Sequence, residues 1–187
     1  MKTESSILDI AKSTITMESN AIANLVDLLT DDFANATELI YNSKGRVIIT
    51  GIGKSAIIAN KIVATLNSTG TPSVFMHAAD AIHGDLGLIL EDDVVICISK
   101  SGNTPEIKVL VPLIKNAKNK MIAITGNKDS FLGQQADYVL NAYVEQEACP
   151  NNLAPTTSTT AQLVIGDALA VCLLKLRGFS SKDFAKY

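Results

Sequence analysis

Arg46-Val47-Ile48-Ile49-Thr50-Gly51-Ile52-Gly53-Lys54-Ser55-Ala56 is the stretch from which the rest of the chain can be read. Val47, Ile48 and Ile49 form a continuous β-branched run after Lys44-Gly45, predicting a strand over 46–50 that must be covered on both faces. Gly51-Ile52-Gly53 turns the chain, and apolar residues then recur at helical spacing over 56–66. Strand, glycine turn and helix in that order predict a parallel sheet, with the helix returning over one face by a right-handed crossover.

Working outward, the unit repeats downstream. Strands are expected at 73–76, 94–99, 120–125 and 138–142, and helices at 105–117 and, shorter, 130–136. Val94-Val95-Ile96-Cys97-Ile98 is again apolar without alternation, as in a strand buried on both faces. Upstream, residues 5–42 read as two helices, with Leu8, Ala11, Ile15, Ile22, Leu25 and Leu29 on one stripe. Glu18 is its polar interruption, and Asp31-Asp32 the break. A last helix over 160–176 carries two apolar stripes, Ile165, Leu169, Cys172 and Leu176 on one and Val164, Ala168 and Val171 on the other. Together with the N-terminal stripe, this breadth of apolar cover predicts contact between subunits. The expected fold is α/β, a three-layer αβα sandwich around a five-stranded parallel sheet with N-terminal helices added. Residues 1–187 form a single domain, of which 1–42 is a helical extension packed on it.

Composition narrows the function classes. Of 187 residues 47% are hydrophobic and 19% charged, enough apolar material for a buried core. Sixteen basic and 19 acidic residues give a net charge of −3, so no basic field is available to hold nucleic acid or an anionic membrane. No apolar run approaches the roughly 18 residues of a membrane span, and Lys2, Glu4 and Asp9 lack the layout of a signal peptide. Cys97, Cys149 and Cys172 are too sparse for a disulfide framework. A cytoplasmic location is expected.

In an open parallel sheet, ligands bind beyond the carboxyl ends of the strands. The turn from Gly51 to Ala56 fits G-x-G-x-x-A, but the acid expected at the end of the second strand is replaced by Met76-His77, and Asp80 comes late. A P-loop would need glycine where Ile48 stands. The turn Ser99-Lys100-Ser101-Gly102-Asn103-Thr104 is more informative. It gathers short polar side chains around a glycine just before Pro105 opens a helix, with Thr104 the natural N-cap. Free N–H groups, the helix dipole and hydroxyls converge there on a place for a phosphate monoester. Glu106 lies in the first turn of that helix, where the dipole favours an acid whatever it does, and Glu147 reads on position alone as a loop acid. The two histidines, His77 and His83, fall in one turn segment at a spacing that does not share a helix face, with no cysteine beside them, so no metal site is expected. Thr156-Thr157-Ser158-Thr159-Thr160 offers more hydroxyls than one N-cap needs and is a candidate lining for a sugar pocket.

These segments resemble the sugar isomerase (SIS) domain family, and within it the bacterial D-arabinose 5-phosphate isomerases. The match is carried by Gly51-Ile52-Gly53-Lys54-Ser55, Ala81-Ile82-His83-Gly84-Asp85-Leu86-Gly87, Ser99 to Glu106, Glu147-Ala148-Cys149-Pro150, and Leu153 to Ala161. The resemblance implies a flavodoxin-like sheet and interconversion of D-arabinose 5-phosphate and D-ribulose 5-phosphate through an enediol, without cofactor or metal, for Kdo biosynthesis toward lipopolysaccharide or capsule. It implies a catalytic set of Lys54, His83, Glu106 and Glu147. Substrate binding falls to Gly53, Ser55, His77, Ser99, Ser101, Gly102, Asn103, Thr104, Thr157 and Ser158. A homotetramer sharing active-site residues is implied too, and CMP-Kdo is a candidate feedback inhibitor. Two departures are expected to matter: many relatives carry a pair of CBS domains after this one, and relatives continue beyond Phe184-Ala185-Lys186-Tyr187 into His-Pro-Gly-Gly. Isomerases of hexulose 6-phosphate or sedoheptulose 7-phosphate, and a non-catalytic phosphosugar sensor, are the alternatives.

Overall fold

The computed structural model describes residues 6–180 and residue 183. Lys2, Glu4 and the segment 184–187 lie outside the described residues. Five parallel strands, β1 (Val47–Gly51), β2 (Ser73–His77), β3 (Val94–Ile98), β4 (Met121–Thr125) and β5 (Tyr138–Asn141), form one sheet in the order β2-β1-β3-β4-β5. That is the flavodoxin-like order, whose switch point lies between β1 and β3.

The continuous apolar strands are covered on both sides. Val47, Ile49, Ile96, Ile98, Ile122, Ile124 and Leu140 point to a layer made by α2 (Asp31–Asn42), α3 (Lys54–Ser68) and α7 (Thr157–Leu176), packed through Ile40, Ile62, Leu66, Ile165 and Leu169. Ile48, Val95, Cys97, Met121 and Ala123 point the other way. Ala78 and Ala81 of α4 (Ala78–Ile82), Ile107, Leu110 and Ile114 of α5 (Pro105–Asn116) and Leu132 of α6 (Phe131–Gln135) cover them. Alternate residues of one strand therefore feed two separate cores, as a doubly wound sheet requires.

Several boundaries differ from the sequence reading. The break in the N-terminal helices is not at Asp31-Asp32. The first helix, α1 (Ile7–Asn24), passes into a 3₁₀ turn, Leu25–Leu28, and both aspartates sit in the first turn of α2, where a helix dipole favours acids. The segment after β2 is not a plain turn: Ala78 and Ala81 bury their methyls against the α5 layer, giving α4 and a 3₁₀ turn at Asp85–Leu88. Helix α7 begins at Thr157, not 160. It also has the length and mean hydropathy, 1.5, of a membrane-crossing helix, against the expectation that no such stretch exists. Ala161, Ile165, Gly166, Leu169, Ala170 and Leu173 are nonetheless buried inside the fold. Helix α1 buries no residue and leaves Ile7 86% exposed and Leu8 and Ile15 each 69% exposed. The stripe read from the sequence is thus divided: Leu25 joins the core and Ile22 is half-buried, while Leu8, Ala11 and Ile15 at its N-terminal end stay exposed.

Candidate active site

Three loops at the carboxyl ends of the strands meet: the turn after β1, the turn after β3, and the long segment between β5 and α7. Each is shaped by local chemistry. Gly53 caps α3 with φ +57 and ψ −128, a conformation L side chains rarely adopt, which is why glycine ends the first turn. Gly102, at φ +64, is fixed twice over, because a Cβ there would collide with Ser130 Oγ, the hydroxyl that caps α6.

The turn after β3 is held by its own polar groups. Ser99 Oγ accepts from Gly102 N at 3.2 Å, Ser101 Oγ from Asn103 N at 3.3 Å, and Asn103 Oδ1 from Phe131 N at 3.0 Å. Ser99 and Asn103 therefore set the shape of the turn and its docking on α6. Thr104 stands at the N-cap of α5, but its hydroxyl makes no capping bond. Its Oγ1 is buried without a partner, contrary to the ordinary cap read from the sequence. An orphaned hydroxyl beside the first-turn N–H groups of α5, which no helix satisfies internally, fits an anionic oxygen. Ser101 is exposed, and Glu106 is half-buried in the first turn.

Glu147 is not a solvated loop acid. Only 3% exposed, its carboxylate accepts from Thr156 N at 2.9 Å and Ser158 N at 3.1 Å, from the hydroxyls of Thr156 and Ser158, and from Lys100 Nζ at 2.7 Å. It caps the start of α7. Burial alone would push its pKa up; Lys100, the Ser158 hydroxyl and the two N–H groups outweigh that and hold it at about 2. Its backbone is tied as well. Glu147 N donates to Asn152 Oδ1 at 2.8 Å, and Ala148 N to the hydroxyls of Thr156 and Thr157 at 2.9 and 3.0 Å. The buried hydroxyls of Thr157 and Ser158, expected to line a sugar pocket, are thus engaged with the 147 loop inside the chain.

Lys54 is reached from Glu147 through α7. Ser55 Oγ, next to Lys54, donates to Gln162 Oε1 at 3.1 Å, and Gln162 lies one helical turn beyond Ser158. Lys54 and Glu147 therefore stand at adjoining ends of two packed helices. Ser55, expected among the substrate-binding residues, makes its hydroxyl bond to α7. Lys54 is exposed and, among the described residues, forms no ion pair with Glu106 or any other acid of the chain. His77 ends β2 beside Gly51, with Nδ1 3.8 Å from Asp80 Oδ2. His83, just after α4, is exposed, and no hydrogen bond within the chain joins its ring to Lys54 or Glu147. Among the described residues no group of three or more His, Cys, Asp and Glu is placed to hold a metal ion.

Sequence reasoning gave no role to Lys100, Asn152 or Gln162 and offered Thr156 only to a sugar pocket, yet all four shape this region. Lys100 had one signal, a lone cation amid neutral donors, and Asn152 another, since asparagine tolerates the φ of +53 it adopts. A cleft of about 510 Å³ between α1 and residues 143–146 borders the loop that carries Glu147.

Fold and site define a doubly wound α/β domain with a polar, glycine-centred turn after β3 and the Lys100–Glu147 ion pair beside it. The SIS domain model matches residues 39–172, and the chain belongs to that family. It is 53% identical over 175 residues to the arabinose 5-phosphate isomerase KdsD of Pseudomonas aeruginosa, covering 94% of this chain and 54% of that protein. It is 50% identical over 177 residues to KpsF of Escherichia coli O6:H1, also an arabinose 5-phosphate isomerase, covering 94% of this chain and 54% of the other. The chain thus spans about half the length of the curated relatives it matches. Among solved structures, an E. coli CFT073 protein in complex with arabinose 5-phosphate superposes with a TM-score of 0.93 at 40% identity, covering 97% of this chain and 96% of that one.

Proposed function

We propose that the chain interconverts D-arabinose 5-phosphate and D-ribulose 5-phosphate through an enediol. The observation that carries this reading is the joining of the phosphate-fitting turn to Glu147 beside the end of α3 that bears Lys54. The relatives named arabinose 5-phosphate isomerase, and the structural neighbour bound to arabinose 5-phosphate, support the choice of substrate.

The isomerisation moves one proton between C2 and C1. Glu147 takes the proton from C2 of the aldose and returns it to C1. The Lys54 ammonium stabilises the enediolate oxygen that forms meanwhile, and Glu106 keeps Lys54 charged once substrate is bound. His83 carries the oxygen-bound proton between O1 and O2, and opens a cyclic sugar, because an imidazole can both donate and accept. Ser101, Thr104 and the first N–H groups of α5 hold the phosphate, so that binding energy from the remote end positions the reacting carbons. Gly53 and Gly102 let backbone approach the ligand, His77 flanks the first turn, and Thr157 and Ser158 orient Glu147.

The wider reading includes a homotetramer that covers α1, a cytoplasmic place in Kdo biosynthesis, and CMP-Kdo as a competitor for the same turn. The exposed apolar residues Ile7, Leu8, Ile10 and Ile15 of α1 support the first of these. The deciding experiment is turnover of D-arabinose 5-phosphate by the purified chain, alongside hexulose 6-phosphate and sedoheptulose 7-phosphate. Turnover of the pentose is expected, with a loss of at least about a hundredfold in Lys54→Met. Preference for another sugar overturns the substrate, and near-normal turnover by Lys54→Met overturns the mechanism.

A further inference from the structure

Lys100 sits in the middle of the phosphate-fitting turn, between Ser99 and Ser101, yet its ammonium points out of the turn to Glu147 Oε1, 2.7 Å away. The pair is lopsided: the lysine side chain is 45% exposed and the glutamate side chain 1%. Every other donor to that carboxylate is a backbone N–H of α7 or a hydroxyl of Thr156 or Ser158, fixed by the start of the helix. A carboxylate offers about four lone-pair positions, and here all are taken. In this state Glu147 is a helix cap with nothing left for a carbon-bound proton. Of its donors only Lys100 has a long flexible stem and a solvent-facing side, so it can leave without disturbing the buried start of α7.

The geometry points to Lys100 as a latch worked by phosphate. With the turn empty, it holds Glu147 as the cap of α7. A phosphate monoester seated in the turn, carrying about two negative charges against the single charge of the carboxylate, draws the ammonium to itself and frees Oε1 to take the substrate proton. Lys100 is then a positioning residue that couples recognition of the phosphate end to the readiness of the base. This rests on the isomerase reading above. It adds to it the reason a sugar lacking phosphate would be a poor substrate even at saturation.

The test uses the substrate in two pieces. Exchange of the C2 proton of D-arabinose in deuterated water is followed by NMR, with and without inorganic phosphate, for wild type, Lys100→Met and Lys100→Arg. Phosphate is expected to raise the wild-type rate about tenfold. Lys100→Met should exchange about tenfold faster than wild type when phosphate is absent and gain little when it is added, and Lys100→Arg should restore the phosphate dependence. The sign is decisive, because a lysine that merely binds phosphate leaves the phosphate-free rate of Lys100→Met at the wild-type level. One that merely supports the fold lowers that rate. Either result overturns the latch, as does a wild-type rate indifferent to phosphate, which needs no variant to fold. Exchange of D-arabinose 5-phosphate by wild type separates the two claims. Its absence removes the isomerase reading and the latch with it; its presence beside an unaccelerated Lys100→Met removes the latch alone.

Discussion

Replacing Glu147 by glutamine tests the cap directly, since the amide keeps the shape and one acceptor but loses the charge. It also turns an NH₂ donor toward groups that are themselves donors: Lys100, the Ser158 hydroxyl and the N–H groups of Thr156 and Ser158. The magnitude follows from the carboxyl, held at about 2 against an ordinary 4.5. At about 1.36 kcal/mol for each tenfold change in proton affinity, the ionised form contributes about 3 kcal/mol at neutral pH. For a domain of this size that is a fall in Tm of about 6–12 °C. Because the folded value lies below the unfolded one, the contribution is complete above about pH 4.5 and fades as the pH drops toward 2. Urea unfolding of wild type and Glu147→Gln, at equal protein concentration and at about pH 7 and pH 3, should therefore show a gap near 3 kcal/mol at neutral pH that falls to less than half at about pH 3. A variant within about 0.5 kcal/mol of wild type at pH 7, or a gap that ignores pH, would refute the assignment of Glu147 as the charged cap of α7.

Gly102→Ala forces a Cβ against Ser130 Oγ at a φ of +64. Loss of about 2 kcal/mol in urea unfolding is expected, together with weakened binding of inorganic phosphate by calorimetry. Among the thiols, burial pushes Cys97 up to about 12, while the N–H groups of Ala154, Leu153 and Asn151 lower Cys149 from its ordinary value. Iodoacetamide at about pH 8 should alkylate Cys149 first and Cys97 last, as read by peptide mass mapping; early modification of Cys97 would contradict its place beneath α5.

How much of this could be read in advance depended on whether the signal was local. Val47-Ile48-Ile49 and Val94 to Ile98 announced strands covered on both faces because each apolar run carries its own evidence, and the two cores on either side of the sheet bear that out. Gly53 and Gly102 announced turns for the same reason. Asp31-Asp32 misled because acids interrupt an apolar stripe and also favour the start of a helix, and the second effect prevailed. The segment after β2 hid α4 because alanine is a weak marker of periodicity, although Ala78 and Ala81 fill the space beneath α5 well.

The candidate site shows the harder case, in which the residue types were legible and their pairing was not. Five hydroxyls before an apolar helix looked like donors awaiting a sugar. Nothing nearby in sequence revealed that Glu147, about ten positions upstream, would return to accept from Thr156 and Ser158. Nor did position 100 reveal that its ammonium would cross from the phosphate turn to the same carboxylate. Both contacts depend on strand order, which brings the end of β3 beside the loops that follow β4 and β5. Once that order is fixed, the burial of Glu147 demands compensation. The donors within reach are those the sequence had offered to a ligand, so the acid is ionised, capped and fully occupied before any substrate arrives. A carboxylate held at about 2 is a poor base near neutral pH, and the chemistry proposed for it therefore requires that one of its donors leave. Lys100, the half-exposed donor on a flexible stem, can do so without dismantling the helix that Glu147 caps.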